Sequence, residues 1–328
     1  MRVGFAAIRG VPQHLPARKL SAEAEALKNS PMRVVPIFDT NIFGDVHRGR
    51  ISPQDWKFLL RHRPGRGCPL SSVTAFELLA GVDACRPEDF PDVRDRVSTA
   101  FKLSNGRILD EPRRLICKEI LRISAPEDMP AFSTVVSRYM DVIRRAKSHR
   151  DLVDGRVRYK GLRARVIDTS VLTLVMSGPK ETWIGIVEQS ATEKYPAWRE
   201  LFEKSGRRLP IEMRNDLEPR SAWADFAPGI VDGLIRRLGG SPTPDLISEL
   251  CTRLDAVCEF SLFIAREFLL RNYSVTKHQS DIFDQFQLHH LALDRFVIVT
   301  HDPDLTKRTR LSSQVDRIMT FDEFLRTL

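Results

Sequence analysis

Apolar residues along this chain form both strand-like runs and helix-like spacings. Val34–Phe38 and Phe296–Val299 are short, nearly continuous apolar runs, typical of strands buried on both faces of a parallel sheet. After Ser280, which can cap a helix by accepting a backbone N–H, apolar residues recur at helical spacing. A similar helical pattern follows Ser72. The sequence therefore predicts an α/β fold with a central parallel sheet flanked by helices.

Local patterns predict further elements. Proline is common in the first turn of a helix, and a stretch rich in Gly, Ser and Pro favours a linker. The predicted segments are helices at Ser52–Arg61, Val93–Leu103, Arg114–Leu121 and Asp245–Arg271, a short strand within Gly106–Glu111, and a linker at Gly239–Pro244. The last of these helices has a broad apolar face along its length.

Both strand-like runs are followed by an acidic residue. Asp39 comes directly after the first run, and Asp302 follows the second run within a few residues. In parallel α/β sheets, ligands bind outside the carboxyl ends of the strands. Asp39 and Asp302 are therefore candidate site residues.

Two more acids lie on the predicted helices. Asp284 falls near the start of the helix that follows Ser280, and Glu77 lies on a helix that we expect to end at Gly81. Carboxylates brought together without an equal number of bases repel one another, and the usual remedy is a hard divalent cation. The pattern indicates a magnesium or manganese site.

These residues, taken together, resemble the PIN domain nucleases. The resemblance depends on four blocks that occur in the order typical of the family, and the closing segment Met319–Leu325 is similar to that family's last elements. The blocks are Phe38-Asp39-Thr40-Asn41, Ser72-x-x-Ala75-x-Glu77-Leu78-Leu79-x-Gly81, the helical Asp284, and Thr300-His301-Asp302. The resemblance implies a three-layer PIN-like fold.

The same resemblance implies metal-dependent hydrolysis of phosphodiester bonds. One or two Mg²⁺ or Mn²⁺ ions, held by the four acids, would polarise the phosphate and lower the pKa of a bound water. Supporting roles are expected for Asn41, which could orient Asp39 or contact a metal-bound water, and for Thr300, which could hydrogen-bond a metal-bound water. Asp281 precedes Asp284 by three residues on nearly the same helix face. It is either a fifth acid of the site or a charge favoured at a helix N-terminus.

The resemblance covers two separated parts of the chain. We expect an N-terminal arm at residues 1–31, a first PIN-like part at 32–123, a mainly helical insertion at 124–244, and a second PIN-like part at 245–328. The insertion has more residues than the family needs at this position. It could select substrate, dock an inhibitor protein or form a homodimer.

Charge points to a polyanionic partner. The formal net charge is +8, and nucleic acid is the simplest partner for such a chain. Nine basic residues cluster in the insertion, namely Arg144, Arg145, Lys147, Arg150, Arg156, Arg158, Lys160, Arg163 and Arg165. This run is either a surface that contacts the phosphate backbone or a solvated helix face.

Other residue types narrow the possible classes of protein. The five cysteines are odd in number and include no C-x-x-C pair, so neither a disulfide framework nor a zinc knuckle is indicated, and a reducing cytoplasm fits best. No apolar run reaches the roughly 20 residues of a membrane helix. His289, His290 and His301 are expected to be core or surface residues, since the implied chemistry does not require them.

The function that these observations favour is an endoribonuclease of the toxin, defence or RNA-processing type. One alternative is a catalytically silent nucleic-acid-binding or scaffold protein that uses the basic helical insertion. Another is a nuclease acting on single-stranded or structured DNA, because a metal site does not distinguish the two sugars.

Overall fold

The computed structural model describes residues 34–63, 67–125, 133–154, 219–261, 263 and 280–328. Within these ranges the chain combines a small parallel sheet with many helices, which confirms the α/β class. Searching the same residues reveals no helix long and apolar enough to span a membrane. The predicted N-terminal arm at 1–31 lies outside the described residues.

The sheet consists of three parallel strands. They are β1 (Val35–Phe38), β2 (Phe296–Val299) and β3 (Ile318–Met319), and β2 lies in the middle. In the pairing of β1 with β2, Phe38 lies opposite Val299. Both apolar runs that were predicted as strands are therefore confirmed, and their carboxyl ends lie at one edge of the sheet.

Helices account for most of the remaining described residues. Their bounds are α1 Thr40–His47, α2 Pro53–His62, α3 Ser72–Ala84, α4 Phe90–Ser104, α5 Pro112–Ile116, α6 Ser133–Arg145, α7 His149–Asp154, α8 Pro219–Arg237, α9 Pro244–Arg253, α10 Ser280–Leu288, α11 Pro303–Arg308 and α12 Phe321–Leu325. A π-helical turn at Cys117–Leu121 continues α5. Polar caps define several starts: the side chains of Ser52 and Ser71 accept the backbone N–H groups of Asp55 and Thr74. The helix predicted after Ser280 begins there, although the side chain of that serine lies outside the described residues.

Side chains of β2 alternate between two hydrophobic cores. Val297 and Val299 belong to a core formed with α1 to α4, α6 and α12, whereas Ile298 belongs to a second core formed with α8, α9 and α10. This alternation follows from the two-residue period of a strand. The sheet is therefore buried on both faces, as its continuous apolar strands predict.

Helices from the predicted insertion contribute to both cores. Val136, Tyr139 and Ile143 of α6 pack in the first core, and Val231 and Ile235 of α8 pack in the second. These segments are helical, as expected. Residues 155–218 lie outside the described part of the chain, so the division into a two-part PIN-like domain and an insertion stays a prediction.

Two predictions are wrong: the C-terminal end of α3 and the short strand within Gly106–Glu111. The helix passes through Gly81 and ends at Ala84, because Gly81 is not among the glycines with positive φ and so does not end the helix as a left-handed residue. The strand predicted within Gly106–Glu111 is reduced to a single parallel bridge between Leu70 and Ile108. It cannot lengthen, since Ser71 begins capping α3 immediately after Leu70.

The long helix predicted over Asp245–Arg271 is interrupted. Helix α9 ends at Arg253, and helical residues resume at 255–261, while residues 264–271 lie outside the described ranges. Gln314 causes the break: its side chain accepts the backbone N–H of Ala256 at 3.1 Å and donates to the carbonyl of Arg253 at 2.9 Å. A residue distant in sequence thus replaces the local helical hydrogen bonds.

We predict that the centre of β2 is a major source of stability. Ile298→Ala should lower the free energy of unfolding by about 2–5 kcal/mol, because it leaves a cavity in a packed core. Urea denaturation measures this change. The control is Val34→Ala at a side chain that is 51% exposed, where the change should stay within about 0.5 kcal/mol. Similar losses in the two variants would contradict the prediction.

Candidate active site

The edge where β1 and β2 end carries the first group of predicted site residues. The backbone N–H of Asp39 donates to the carbonyl of Val299 at 3.0 Å, so Asp39 extends the ladder beyond the last residue of β1. Thr300 continues β2 in the same way, donating to the carbonyl of Met319 at 3.0 Å. The strand pairing therefore holds Asp39 and Thr300 side by side.

A hydrogen-bond network fixes the Asp39 carboxylate. Its Oδ2 accepts from Thr300 Oγ1 and from Asn41 Nδ2, each at 2.7 Å, and its Oδ1 accepts from the backbone N–H of Thr40 at 2.6 Å. Asn41 Nδ2 also donates to Thr300 Oγ1 at 3.0 Å. Asn41 and Thr300 thus both hold the Asp39 carboxylate in place, and the contact with a metal-bound water that was predicted for Thr300 stays a prediction.

Glu77 approaches this network from α3. Its Oε2 accepts a hydrogen bond from the side-chain hydroxyl of Thr40. Sequence reasoning did not assign Thr40 a role, although Thr40 lies between two predicted site residues. The contact joins the end of β1 to the middle of α3.

Asp302 lies where β2 leads into α11. Its backbone N–H donates to Thr300 Oγ1 at 2.9 Å, and its Oδ1 accepts from the backbone N–H of Asp304 at 2.8 Å, which makes it the N-cap of α11. A capping role accounts for one carboxylate oxygen. The other has no partner among the contacts of the described residues.

Asp284, on α10, is the most isolated of the four acids. It is only 8% exposed, yet it forms no hydrogen bond or ion pair within the described part of the chain. Neither do Asp39, Glu77 and Asp302 form ion pairs with a base among those residues. Buried charges in proteins are ordinarily paired or bound to a metal.

Electrostatics shows that the four acids lie close to one another. Burial, then the charges of Asp39, Glu77 and Asp302, raises the pKa of Asp284 to about 9. Burial, followed by the charge of Asp39, raises the pKa of Glu77 to about 8. The pKa of Asp39 is raised mainly by burial and, to a smaller extent, by Asp302. The site therefore groups acids that disfavour one another's ionisation and that no base among the described residues compensates.

The carboxylates do not point at one common centre. Among the residues that the structure describes, no three His, Cys, Asp or Glu side chains are grouped as ligands of a metal ion. Asp39 and Glu77 are instead turned toward the hydroxyl and amide groups that they bind. The donor set still fits a hard divalent cation, because it consists of carboxylate oxygens and includes the buried Asp284, which has no partner among the residues that the structure describes.

Asp281 differs from Asp284. Its carboxylate forms a buried ion pair with Arg308 at 2.7 Å, and the guanidinium of Arg308 lies over the rings of Phe260 and Phe263. This pair gives Asp281 a structural partner on α11. Its assignment as a fifth acid of the site stays a prediction.

Beneath the acids lies a buried polar network that sequence reasoning missed. Gln287 Oε1 accepts from Ser71 Oγ at 2.7 Å, and Gln287 Nε2 donates to Thr74 Oγ1 at 3.2 Å. Thr74 Oγ1 in turn donates to the carbonyl of Phe38 at 2.9 Å. Gln287 and Thr74 each lie three residues from a site acid, Asp284 and Glu77, so the network ties together the three elements that carry Asp39, Glu77 and Asp284. The sequence around Gln287 and Thr74 does not indicate this network, because a three-residue spacing from an acid is ordinary on a helix.

Histidines near the site divide into two kinds. His289 and His290 are buried, their Nδ1 atoms lie 2.8 and 3.0 Å from the helix carbonyls of Gln285 and Gln287, and burial lowers their pKa values to about 4 and about 3. They are neutral core residues, as expected. His301 instead lies 2.8 Å from Asp45 through Nδ1.

Part of the predicted basic surface can be located. Arg144 and Arg145 both pair with Asp141, at 2.6 and 2.8 Å, and the guanidinium of Arg144 lies over the ring of Phe101. Lys147 lies two residues before α7, and Arg150 is the second residue of that helix. The remaining predicted members, Arg156, Arg158, Lys160, Arg163 and Arg165, fall outside the described residues. Arg144 has a packing role, and a nucleic-acid surface here stays a prediction.

No protein-family model matches the chain, and no curated protein or solved structure does so either. The resemblance to PIN domain nucleases therefore stays a resemblance of motifs. Any function assigned to the chain depends on the residues and geometry of the site.

We predict that the metal-free protein becomes less stable as the pH rises. The folded-state pKa values of Asp284 and Glu77 lie above the ordinary values of 3.8 and 4.5, so the stability they confer is fully present below about pH 4 and is lost as the pH rises toward 9. Asp284→Asn should flatten this decline and raise the Tm at pH 8 by more than about 2 °C. Calorimetry in EDTA at pH 5 and pH 8 measures both effects. An unchanged pH dependence in the variant, or the same flattening in the exposed Asp316→Asn control, would contradict the prediction.

We predict that Gln287 stabilises the fold beneath the site. Gln287→Leu should lower the free energy of unfolding by about 1–3 kcal/mol, because Ser71 loses a buried acceptor and Thr74 loses a buried donor. Gln54→Leu on the exposed face of α2 is the matched control and should change stability little. Chemical denaturation compares the two. Equal effects would show that the network contributes no net stability.

Proposed function

We propose that this protein is a metal-dependent nuclease that hydrolyses phosphodiester bonds, most simply an endoribonuclease with a PIN-like three-layer fold. The observation that carries the proposal is Asp284, a buried carboxylate with no partner in the described part of the chain, close to Asp39, Glu77 and Asp302. The four acids come from separate segments and meet at the carboxyl edge of a parallel sheet, where α/β proteins bind ligands.

A divalent cation is the simplest explanation of this arrangement. Keeping carboxylates buried and close together destabilises the protein unless they are protonated or compensated. The described residues supply no base for this purpose. Oxygen ligands of this kind suit Mg²⁺ or Mn²⁺, which prefer carboxylates to nitrogen or sulfur ligands.

Each residue of the site has a distinct task in this proposal. Asp39, Glu77, Asp284 and Asp302 would hold one or two cations, which supply charge stabilisation at the phosphate and a water of lowered pKa. Asn41 and Thr300 keep Asp39 in a single orientation, and Thr40 does the same for Glu77. Pre-orientation of ligands by neighbouring hydrogen bonds is what tunes sites of this type.

The substrate class is inferred from charge and from the family resemblance. A net charge of +8 favours association with a polyanion, and phosphodiesters are the polyanions on which such an acid site can act. The PIN resemblance favours RNA over DNA. Two cores on opposite faces of a parallel sheet support a PIN-like three-layer fold.

We predict that Asp39→Asn/Asp302→Asn abolishes metal-dependent cleavage. Labelled single-stranded RNA and DNA are incubated with the purified protein in Mg²⁺, Mn²⁺ or EDTA, and cleavage products are quantified. The variant should lose at least the roughly 10–100-fold in activity that loss of outer-shell partners alone costs a metal site. The control, Asp316→Asn/Asp322→Asn, removes the same charge from exposed positions and should remain active.

Two results would overturn the proposal. One is the absence of cleavage of either nucleic acid with either metal. The other is cleavage that persists in EDTA or in the Asp39→Asn/Asp302→Asn variant.

A further inference from the structure

Another buried carboxylate near the site, Asp45, contacts two arginines and a histidine instead of joining the four acids. It lies near the end of α1, and its side chain is 6% exposed. Its Oδ2 lies 2.8 Å from His301 Nδ1, and its Oδ1 lies 3.2 Å from Arg50 Nη1 and 3.7 Å from Arg48 Nη1. One carboxylate therefore anchors two arginines and a histidine.

The backbone after α1 is shaped to bring both arginines to Asp45. Arg48 ends the helix by donating its N–H to the carbonyl of Gly44 at 2.9 Å, and Gly49 follows at φ +72°. This left-handed conformation is readily adopted only by glycine. The chain then turns back, so that the N–H of Arg50 donates to the carbonyl of Asp45 at 2.9 Å.

The two arginines are anchored but remain accessible. Their side chains are 57% and 66% exposed, so more than half of each side chain is open to solvent. Two positive charges against the single negative charge of Asp45 leave a net charge of +1. A guanidinium held in place loses less entropy on binding, and its planar fork matches a phosphate group.

This cationic group is joined directly to the candidate active site. His301 lies in the chain between Thr300 and Asp302, and its backbone N–H donates to Asn41 Oδ1 at 3.1 Å. His301 therefore contacts the Asp39 network through its backbone and Asp45 through its ring. Asp45, which holds both arginines, is thus linked to the acid site through a single residue.

We propose that Arg48 and Arg50, held by Asp45, form a phosphate-binding subsite for the backbone of a single-stranded nucleic acid that enters the active site. The ligand class depends on the proposed nuclease function. A strand next to four acids is repelled by them, and fixed guanidiniums at the border of the site offset that repulsion for a phosphate adjacent to the one being cleaved. The shared chemistry is the phosphodiester, which RNA and single-stranded DNA both supply.

The test compares two double variants that remove equal charge. Arg48→Ala/Arg50→Ala removes the subsite. Arg86→Ala/Arg236→Ala removes two arginines with side chains 72% and 65% exposed, each paired with an acid at 2.9 and 2.8 Å. Affinity for a short labelled strand, RNA in one arm and DNA in the other, is measured by fluorescence anisotropy in EDTA over a range of NaCl concentrations. Circular dichroism establishes that both variants are folded.

The subsite variant should bind about tenfold more weakly than the control variant at low salt. The magnitude of the slope of log affinity against log salt should fall by about 0.7, since the subsite binds one phosphate and each phosphate neutralised on a single strand contributes about 0.7. The strand that the wild-type protein binds, RNA or DNA, shows which nucleic acid supplies the phosphate. Equal weakening in the two double variants, unchanged binding in the subsite variant, or no binding by the wild type in either arm would overturn the subsite.

Cleavage kinetics separates this inference from the proposed function. If the wild type cleaves RNA, Arg48→Ala/Arg50→Ala should raise KM by more than it lowers kcat, because the subsite binds a phosphate that does not react. Cleavage with an unaltered KM would support the nuclease and overturn the subsite. Arginine-dependent binding without any cleavage would support the subsite and overturn the nuclease.

Discussion

Parallel pairing of β1 with β2 is the constraint on which the rest of the site depends. With Phe38 opposite Val299, the two residues that leave the sheet at this edge are Asp39 and Thr300, and their side chains meet at hydrogen-bonding distance. A shift of one residue would point Asp39 to the other face of the sheet. The register is held by side chains of β2 that fill a core on each face, so burial of apolar surface fixes the position of polar groups.

Burying the acids opposes that stability. Asp284 and Glu77 are shielded from water and have no basic partner among the described residues. Ionising them there costs free energy, and this raises their pKa values. The surrounding polar groups limit the disruption: Thr40, Asn41 and Thr300 bind carboxylates, while Ser71, Thr74 and Gln287 join the supporting elements. A hydrogen-bonded network packed beneath acids that destabilise the protein is typical of functional sites, where the local structure is less stable than it could be.

Acids that are paired with arginines lie a short distance from acids that are not. Asp281 pairs with Arg308 and Asp45 with two arginines, whereas Asp284 and its three neighbours have no basic partner among the described residues. The distinction is one of partners and not of residue type, since all are carboxylates. It is the arrangement that the proposed metal site and the proposed phosphate subsite would require.

The sequence by itself determined the α/β class, both four-residue strands and most helices, because these follow from local periodicity and capping residues, and the order of short motifs singled out four acids as candidates for one site. Only the tertiary structure decided which polar residues act together. The break of a predicted helix by Gln314, the link from Gln287 to Thr74, the pairing of Asp281 with Arg308 and the anchoring of two arginines by Asp45 could not be read from spacing. Apart from the arginines that follow Asp45, each joins residues distant in the chain, and such contacts exist only once packing has brought the elements together.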